Sequence, residues 1–89
     1  MGAGQAQRAD RRLVFGASGY IGTNLVVRLR RDGYFVRAAS RNLAVLQARK
    51  WVGVELCAAD ALKPESLDAA LTGIDTAYYL VHSMASGRD

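Results

Sequence analysis

The chain has 89 residues, of which 51% are hydrophobic and 22% are charged, and its net charge is +4. This length allows one small domain at most, and the composition is that of a globular protein rather than a disordered one. No apolar run approaches the ~20 residues that span a membrane, and the N-terminus lacks the apolar segment of a signal peptide, so we expect a cytoplasmic protein without a membrane span. The single cysteine, Cys57, and the single histidine, His82, exclude an internal disulfide and a tetrahedral zinc site.

The positive charge is concentrated in two clusters. One cluster, near the N-terminus, contains Arg8, Arg11 and Arg12, and the other contains Arg28, Arg30 and Arg31. A stripe of aromatic and basic residues would favour a nucleic-acid surface, but no such stripe accompanies these clusters. We therefore interpret them as a basic tail and a solvated helix face, and expect no nucleic-acid partner.

Predicted strands and helices alternate along the chain after a short leader. Residues 1–11 show neither helical nor strand periodicity, which predicts a disordered leader. Strands are predicted for residues 12–16, 34–39, 52–59 and 77–81, and helices for residues 20–32, 43–50 and 64–72. Pro64 is typical of a first helical position, and Gly33 and Gly73 are typical of helix C-termini.

The order β-α-β-α-β-α-β predicts an α/β fold, a partial Rossmann-like doubly wound parallel sheet with strand order 3-2-1-4. Residues 12–89 would then form the N-terminal part of an NAD(P)-binding domain. The fourth strand would be an exposed apolar edge, which a missing C-terminal part or a second copy would cover. We accordingly expect the chain to be the N-terminal part of a larger protein or a truncated reading frame.

Three glycines spaced G-x-x-G-x-x-G, namely Gly16, Gly19 and Gly22, lie between the first strand and the first helix. A strand, a tight glycine turn and a helix N-terminus together form a cradle for a pyrophosphate. We expect Gly16 to permit the turn, Gly19 to let the backbone approach the phosphates, and Gly22 to let the helix pack against the sheet.

The end of the second strand indicates which dinucleotide would bind. NAD-binding domains usually carry an acidic residue there, but no Asp or Glu occurs between Asp32 and Glu55. Ser40 and Arg41 occupy that position, and a guanidinium can pair with a 2′-phosphate that a carboxylate would repel. The sequence therefore favours NADP over NAD, with Arg37, inside the strand, as a second candidate.

Two further strand ends supply candidate contacts. The carboxylate of Asp60 could accept a hydrogen bond from the adenine amino group, and the next backbone N–H, of Ala61, could meet the ring; the alternative is a plain loop or cap residue. Leu80, Val81 and His82 would line the crevice beside the ribose and nicotinamide. His82 could titrate near neutrality, and both a catalytic role and a plain polar strand end stay open.

No catalytic pair is found in the sequence. Short-chain reductases typically use a Tyr followed four residues later by a Lys. Asn24, Ala38, His82 and Ser83 follow the four tyrosines at that spacing. We therefore assign no catalytic residue to this chain.

Several segments resemble one protein family. The motif Gly-Ala-Ser-Gly-Tyr-Ile-Gly at residues 16–22 resembles the cofactor fingerprint of extended and atypical short-chain dehydrogenase/reductases. Residues 36–41, 59–67 and 73–84 strengthen the resemblance and are similar to the NmrA-like, NAD(P)H-binding branch.

The resemblance implies a Rossmann-like domain with a set of cofactor contacts. Gly16, Ala17, Ser18, Gly19, Tyr20, Ile21 and Gly22 would hold the pyrophosphate, and Ser40 and Arg41 the 2′-phosphate. Asp60 and Ala61 would meet the adenine, and Leu80, Val81 and His82 the ribose. In this family the catalytic Tyr/Lys segment and the substrate-binding part lie beyond the position of Asp89.

Two functions fit these observations, with an inactive truncated fragment as a third outcome. The first is the cofactor-binding part of an NADP-dependent oxidoreductase acting on an unspecified small molecule. The second is a non-catalytic sensor in which bound NADP changes a partner-binding surface.

Overall fold

The computed structural model describes residues 10–80, which form four parallel strands and three helices. The strands are β1 (Arg11–Phe15), β2 (Phe35–Ser40), β3 (Val54–Ala58) and β4 (Thr76–Tyr79), and the helices are α1 (Tyr20–Arg31), α2 (Leu43–Ala48) and α3 (Pro64–Leu71). The sheet order is β3-β2-β1-β4. The predicted Rossmann-like fold and strand order are therefore confirmed.

β1, one of the two interior strands, is buried on both faces of the sheet. Leu13, Val14 and Phe15 are all at most 4% exposed. Val14 packs with α1 and α2 on one face, whereas Leu13 and Phe15 pack with Ala70 of α3 on the other. This double burial explains why β1 is a continuous apolar run rather than an alternating one.

Helix ends follow the local rules that the sequence predicts. Gly33, after α1, has φ +94°, and Gly73, after α3, has φ +75°, conformations that residues with a Cβ rarely adopt. Pro64 is the first residue of α3, and Glu65 lies in its first turn, where a carboxylate is favourable to the helix dipole.

Some predicted element boundaries are wrong. β3 begins at Val54 rather than Val52, because Val52 is 87% exposed in a turn where Gly53 has φ +75°. Ile21 of α1 and Leu71 of α3 are apolar residues of helices, yet they are 65% and 46% exposed. β1 begins at Arg11, one residue before the predicted start.

Arg12 is part of the fold rather than of a solvated tail. Its guanidinium lies 4.1 Å from the ring centroid of Tyr34, donates to Tyr78 Oη and pairs with Asp10 at 3.0 Å. A cation over an aromatic face is attracted by the ring quadrupole. Arg12 thus links β1 to Tyr34, just before β2, and to Tyr78 on β4.

Arg37 connects β2 to two other elements. Its Nη1 donates to the carbonyl oxygens of Ala70 and Thr72 at 2.7 and 2.8 Å, at the C-terminus of α3, and its Nε pairs with Glu55 on β3. A cation at a helix C-terminus also compensates the negative end of the helix dipole. The Arg37 side chain is only 11% exposed, so it is anchored in the fold.

Replacing Arg37 with Met should lower the free energy of unfolding by about 1–3 kcal/mol, because the α3 carbonyls and Glu55 lose charged partners. Urea unfolding measures the change. Arg41→Met is the matched control, since Arg41 is exposed and a surface substitution changes stability by less than about 0.5 kcal/mol. Equal unfolding midpoints for both variants would contradict the structural role of Arg37.

Gly22→Ala should destabilise the chain by about 1–3 kcal/mol. A Cβ at Gly22 would lie 2.5 Å from the Gly16 carbonyl oxygen and 2.8 Å from Ala17 Cα, both backbone atoms that cannot move aside. Gly19→Ser is the control, because the nearest atom to a Cβ there is 3.8 Å away and Ser is a favoured residue at a helix N-cap. A Gly22→Ala variant as stable as wild type in urea would disprove the close contact.

Candidate functional site

A sharp turn connects β1 to α1 at the carboxyl end of the sheet. The backbone N–H groups of Gly16 and Ala17 both donate to the carbonyl oxygen of Ala39, the neighbouring residue on β2, at 2.9 and 3.2 Å. Gly16 has φ +93°, so the turn requires a glycine at this position. The predicted role of Gly16 agrees with this geometry.

Ala17 shapes the turn and has no donor left for a ligand. Its N–H is used by Ala39, its carbonyl accepts from Thr23 Oγ1 at 3.0 Å, and its side chain is fully buried. Both polar backbone groups of Ala17 are thus paired within the turn, and its place among the expected pyrophosphate contacts stays a prediction. Thr23, which the sequence analysis did not single out, helps to fix the turn.

The N-terminus of α1 presents backbone hydrogen-bond donors that have no acceptor among residues 10–80. Gly19 is the N-cap and has no side chain to cap the helix, and the first N–H bonded within α1 is that of Thr23, at 2.9 Å from the Gly19 carbonyl oxygen. The N–H groups of Tyr20, Ile21 and Gly22 therefore have no intrahelical acceptor. The first turn of α1 contains no acidic residue. This arrangement is suited to an anion.

A cavity of about 490 Å³ lies at this helix terminus, between β1 and β4. Its lining residues are Gly16, Gly19, Tyr20, Ile21, Gly22, Tyr79 and Leu80. The position agrees with the rule that ligands of open α/β sheets bind at the carboxyl ends of strands where the strand order reverses. Leu80 is held there by donating its N–H to the Phe15 carbonyl oxygen at 2.8 Å.

Tyr79 also lines the cavity, a position that the sequence did not predict. Tyr79 is paired with Phe15 in the β1–β4 register, and the two ring centroids are 5.4 Å apart. Its ring nevertheless remains 60% exposed at the cavity. The register of β4 against β1, which the sequence does not specify to the residue, brings Tyr79 to this position.

Gly19 borders the cavity without being required by the fold. Its φ of −79° is open to any residue, and a Cβ would meet only the Gly16 carbonyl oxygen, at 3.8 Å. The fold requires glycine at Gly16, because of its positive φ, and at Gly22, because a Cβ would clash with the backbone. It does not require glycine at Gly19. The absence of a side chain at Gly19 leaves space on the cavity side.

The end of β2 adjoins the turn. Ser40 is 7% exposed, its Oγ lies 3.3 Å from Ser18 Oγ, and it accepts from the Asn42 N–H at 3.2 Å. The next residue, Arg41, is exposed and makes no hydrogen bond or ion pair with residues 10–80. The side chains of Ser18 and Ser40, both candidate cofactor contacts from the sequence, are therefore in contact.

A second arginine, Arg49, contacts the turn, although the sequence did not predict it. Arg49 follows α2, and its Nη2 donates to the Ser18 carbonyl oxygen at 3.0 Å. The only signal was the presence of a basic residue after a short helix, because the reach of its side chain back to the turn depends on how α2 packs. Arg37, the second sequence candidate, is instead engaged by α3 and β3.

Asp60 and Ala61 lie on the turn between β3 and α3, outside the cavity lining. Asp60 Oδ1 accepts from the Leu62 N–H at 2.9 Å, and its own N–H donates to Ser66 Oγ at 3.0 Å. The carboxylate therefore stabilises a turn, which is the alternative that the sequence left open. Val81 and His82 lie outside the described residues.

Residues 10–80 contain neither a metal-binding cluster nor a membrane-spanning helix. No group of three His, Cys, Asp or Glu side chains could hold a metal ion. No helix there combines the length and apolarity needed to cross a bilayer.

Comparisons with solved structures identify several similar folds. A short-chain dehydrogenase/reductase from Agrobacterium tumefaciens with bound NAD matches with a TM-score of 0.70 and 23% identity, over 86% of this chain and 22% of that one. A protein from Burkholderia pseudomallei described as exported matches with a TM-score of 0.59 and 37% identity, over 75% and 29%. Vestitone reductase from alfalfa matches with a TM-score of 0.62 and 24% identity, over 78% and 24%.

Sequence comparisons give two further matches. The photosystem II assembly factor Ycf39 from Cyanophora paradoxa is 44% identical over 62 residues, which are 70% of this chain and 19% of that protein. The chain thus spans only about a fifth of the length of this relative. The sequence model of the NmrA-like family matches residues 9–88, nearly the whole chain. The chain therefore belongs to the NmrA-like family.

Proposed function

We propose that this chain binds a nicotinamide dinucleotide, with NADP preferred over NAD, and that residues 12–89 form the N-terminal cofactor-binding part of a short-chain-reductase-like oxidoreductase. The observation that carries this proposal is the cavity at the N-terminus of α1, bordered by a glycine that the fold does not require. Two structures with a similar fold support it, the Agrobacterium protein with bound NAD and a 3-ketoacyl-(acyl-carrier-protein) reductase from Brucella melitensis complexed with NADH.

In this proposal the pyrophosphate lies against the free N–H groups of Tyr20, Ile21 and Gly22. These donors carry the partial positive charge of the α1 N-terminus, and no carboxylate of the first turn opposes an anion there. Gly19 lets the phosphates approach the backbone, and Ser18 lies at the adenosine side. A bound cofactor would supply hydride chemistry through its nicotinamide, while the protein binds and orients it.

Two guanidinium groups support the preference for NADP. Arg41 is exposed and unpaired among the described residues, directly after the buried Ser40 at the end of β2. Arg49 lies beside the same turn, and its side chain bonds the Ser18 carbonyl oxygen but no other group of residues 10–80. We assign the 2′-phosphate to Arg41, with Arg49 as a second cation, because paired N–H donors match phosphate oxygens.

The remaining contacts are assigned by position. Asp60 would meet the adenine through its second carboxylate oxygen, with the N–H of Ala61 beside the ring, and Leu80, Val81 and His82 would adjoin the ribose. A cytoplasmic location stays a prediction from the sequence.

A sensor without turnover is the second candidate function. The relative that is 44% identical is described as an assembly factor rather than as a reductase. A protein of this kind could bind the dinucleotide and change a partner-binding surface. A Tyr followed four residues later by Lys in the longer gene would favour the enzyme, and its absence would favour the sensor.

Calorimetric titration of the chain with NADPH and NADH tests the proposal, and Gly19→Ser is the informative variant. Gly19→Ser should fold with wild-type stability yet lose at least tenfold in affinity for both dinucleotides, because its side chain occupies the phosphate approach. If the wild-type chain binds neither NADPH nor NADH, the proposed function is refuted and an inactive fragment is favoured.

Arg41→Asp should weaken NADPH binding about 10- to 100-fold and NADH binding less than threefold, because it removes a charge-assisted contact to the 2′-phosphate and adds repulsion. Arg31→Asp is the matched control, with the same charge change on an exposed residue at the other end of α1. The same titration measures both. Equal losses for NADPH and NADH in Arg41→Asp would contradict the assignment.

A further inference from the structure

Tyr20 is an unusual residue for the first turn of a surface helix. Its side chain is 84% exposed, yet it lines the cavity at the carboxyl end of the sheet. Its hydroxyl makes no hydrogen bond and its ring no aromatic or cation contact with residues 10–80. A large ring in water contributes nothing to the core of this domain, so the fold does not account for it.

The surroundings of Tyr20 are apolar as well. Ile21 and Tyr79 line the same cavity and are 65% and 60% exposed. Exposed apolar side chains that gather around one cavity indicate a ligand surface, whereas scattered ones such as Val52 do not. The cavity thus combines a polar floor, made of helix N–H groups, with an apolar rim.

Helix geometry directs the Tyr20 side chain toward this rim. In an α-helix each Cα–Cβ bond tilts toward the N-terminus, so the side chain of the first residue projects beyond the helix end. The helix end is where the free N–H groups of Tyr20 and Ile21 face the cavity. A group bound to those donors would therefore lie beside the Tyr20 ring.

We propose that the Tyr20 ring covers the nicotinamide-side half of the bound dinucleotide, and that the ring rather than the hydroxyl supplies the contact. This inference rests on the proposed function and assigns a positioning role to a side chain. Tyr20 lines the cavity together with Tyr79 of β4 and Leu80, whereas Ser40, the residue before Arg41, contacts Ser18. Tyr20 therefore contributes to NADP and NAD equally.

The test compares Tyr20 variants by calorimetry with three ligands: NADPH, NADH and adenosine 2′,5′-bisphosphate, which lacks the nicotinamide half. Tyr20→Ala should lose about three- to tenfold in affinity for both dinucleotides and keep wild-type affinity for the bisphosphate. Tyr20→Phe should stay within twofold of wild type for all three. Val52→Ala, an exposed apolar substitution away from the cavity, should change none of them.

Each other result overturns the inference in a recognisable way. Wild-type NADPH affinity in Tyr20→Ala refutes the ring contact while leaving the proposed function intact. An equal loss for the bisphosphate means that Tyr20 acts on the turn rather than on the nicotinamide half. A loss of dinucleotide affinity in Tyr20→Phe means that the hydroxyl carries the contact.

If Tyr20→Ala unfolds, Tyr20→Leu replaces it, and its affinities for the same three ligands decide. Failure of wild type to bind any dinucleotide removes the proposed function together with this inference.

Discussion

The turn between β1 and α1 depends on one carbonyl group. The Ala39 oxygen accepts from both Gly16 and Ala17, so β2 determines where β1 ends and where α1 begins. The close approach of Gly22 to the Gly16 carbonyl then determines how tightly α1 lies over the turn. Both constraints involve backbone atoms, and the side chains of Thr23 and Arg49 add hydrogen bonds to the carbonyl oxygens of Ala17 and Ser18.

This arrangement separates the roles of the three glycines. Gly16 needs a positive φ and Gly22 needs the absence of a Cβ, and both requirements come from the chain itself. Gly19 meets neither requirement, yet it borders the cavity. In the proposed function, the missing side chain at Gly19 lets the phosphates approach the backbone.

The arginines divide between structure and surface in a way that charge counting does not reveal. Arg12 and Arg37 are engaged by tyrosines, a carboxylate or helix carbonyls, and they hold strands and helices together. Arg41 remains exposed at the carboxyl end of the sheet, and Arg49 reaches the same region from α2. Net charge alone therefore says little about which of these cations could meet an anion.

The sequence by itself determined the fold and the position of the glycine turn. Alternating apolar runs and helical segments specify parallel crossovers, and the rule of right-handed connections leaves few strand orders. Glycine spacing specifies the turn, because only glycine tolerates a positive φ or so close a backbone contact. These signals are local, so they can be recognised without knowing what packs against what.

Only the tertiary structure decided which side chains surround the turn. The β1–β4 register brings Tyr79 to the cavity, and the packing of α2 brings Arg49 to Ser18. Arg37 is engaged by the C-terminus of α3 and by Glu55 of β3, and both polar backbone groups of Ala17 are paired with Ala39 and Thr23. The sequence had offered Arg37 and Ala17 as ligand contacts. Contacts between residues distant in the chain depend on register and on side-chain reach, which periodicity and composition do not encode.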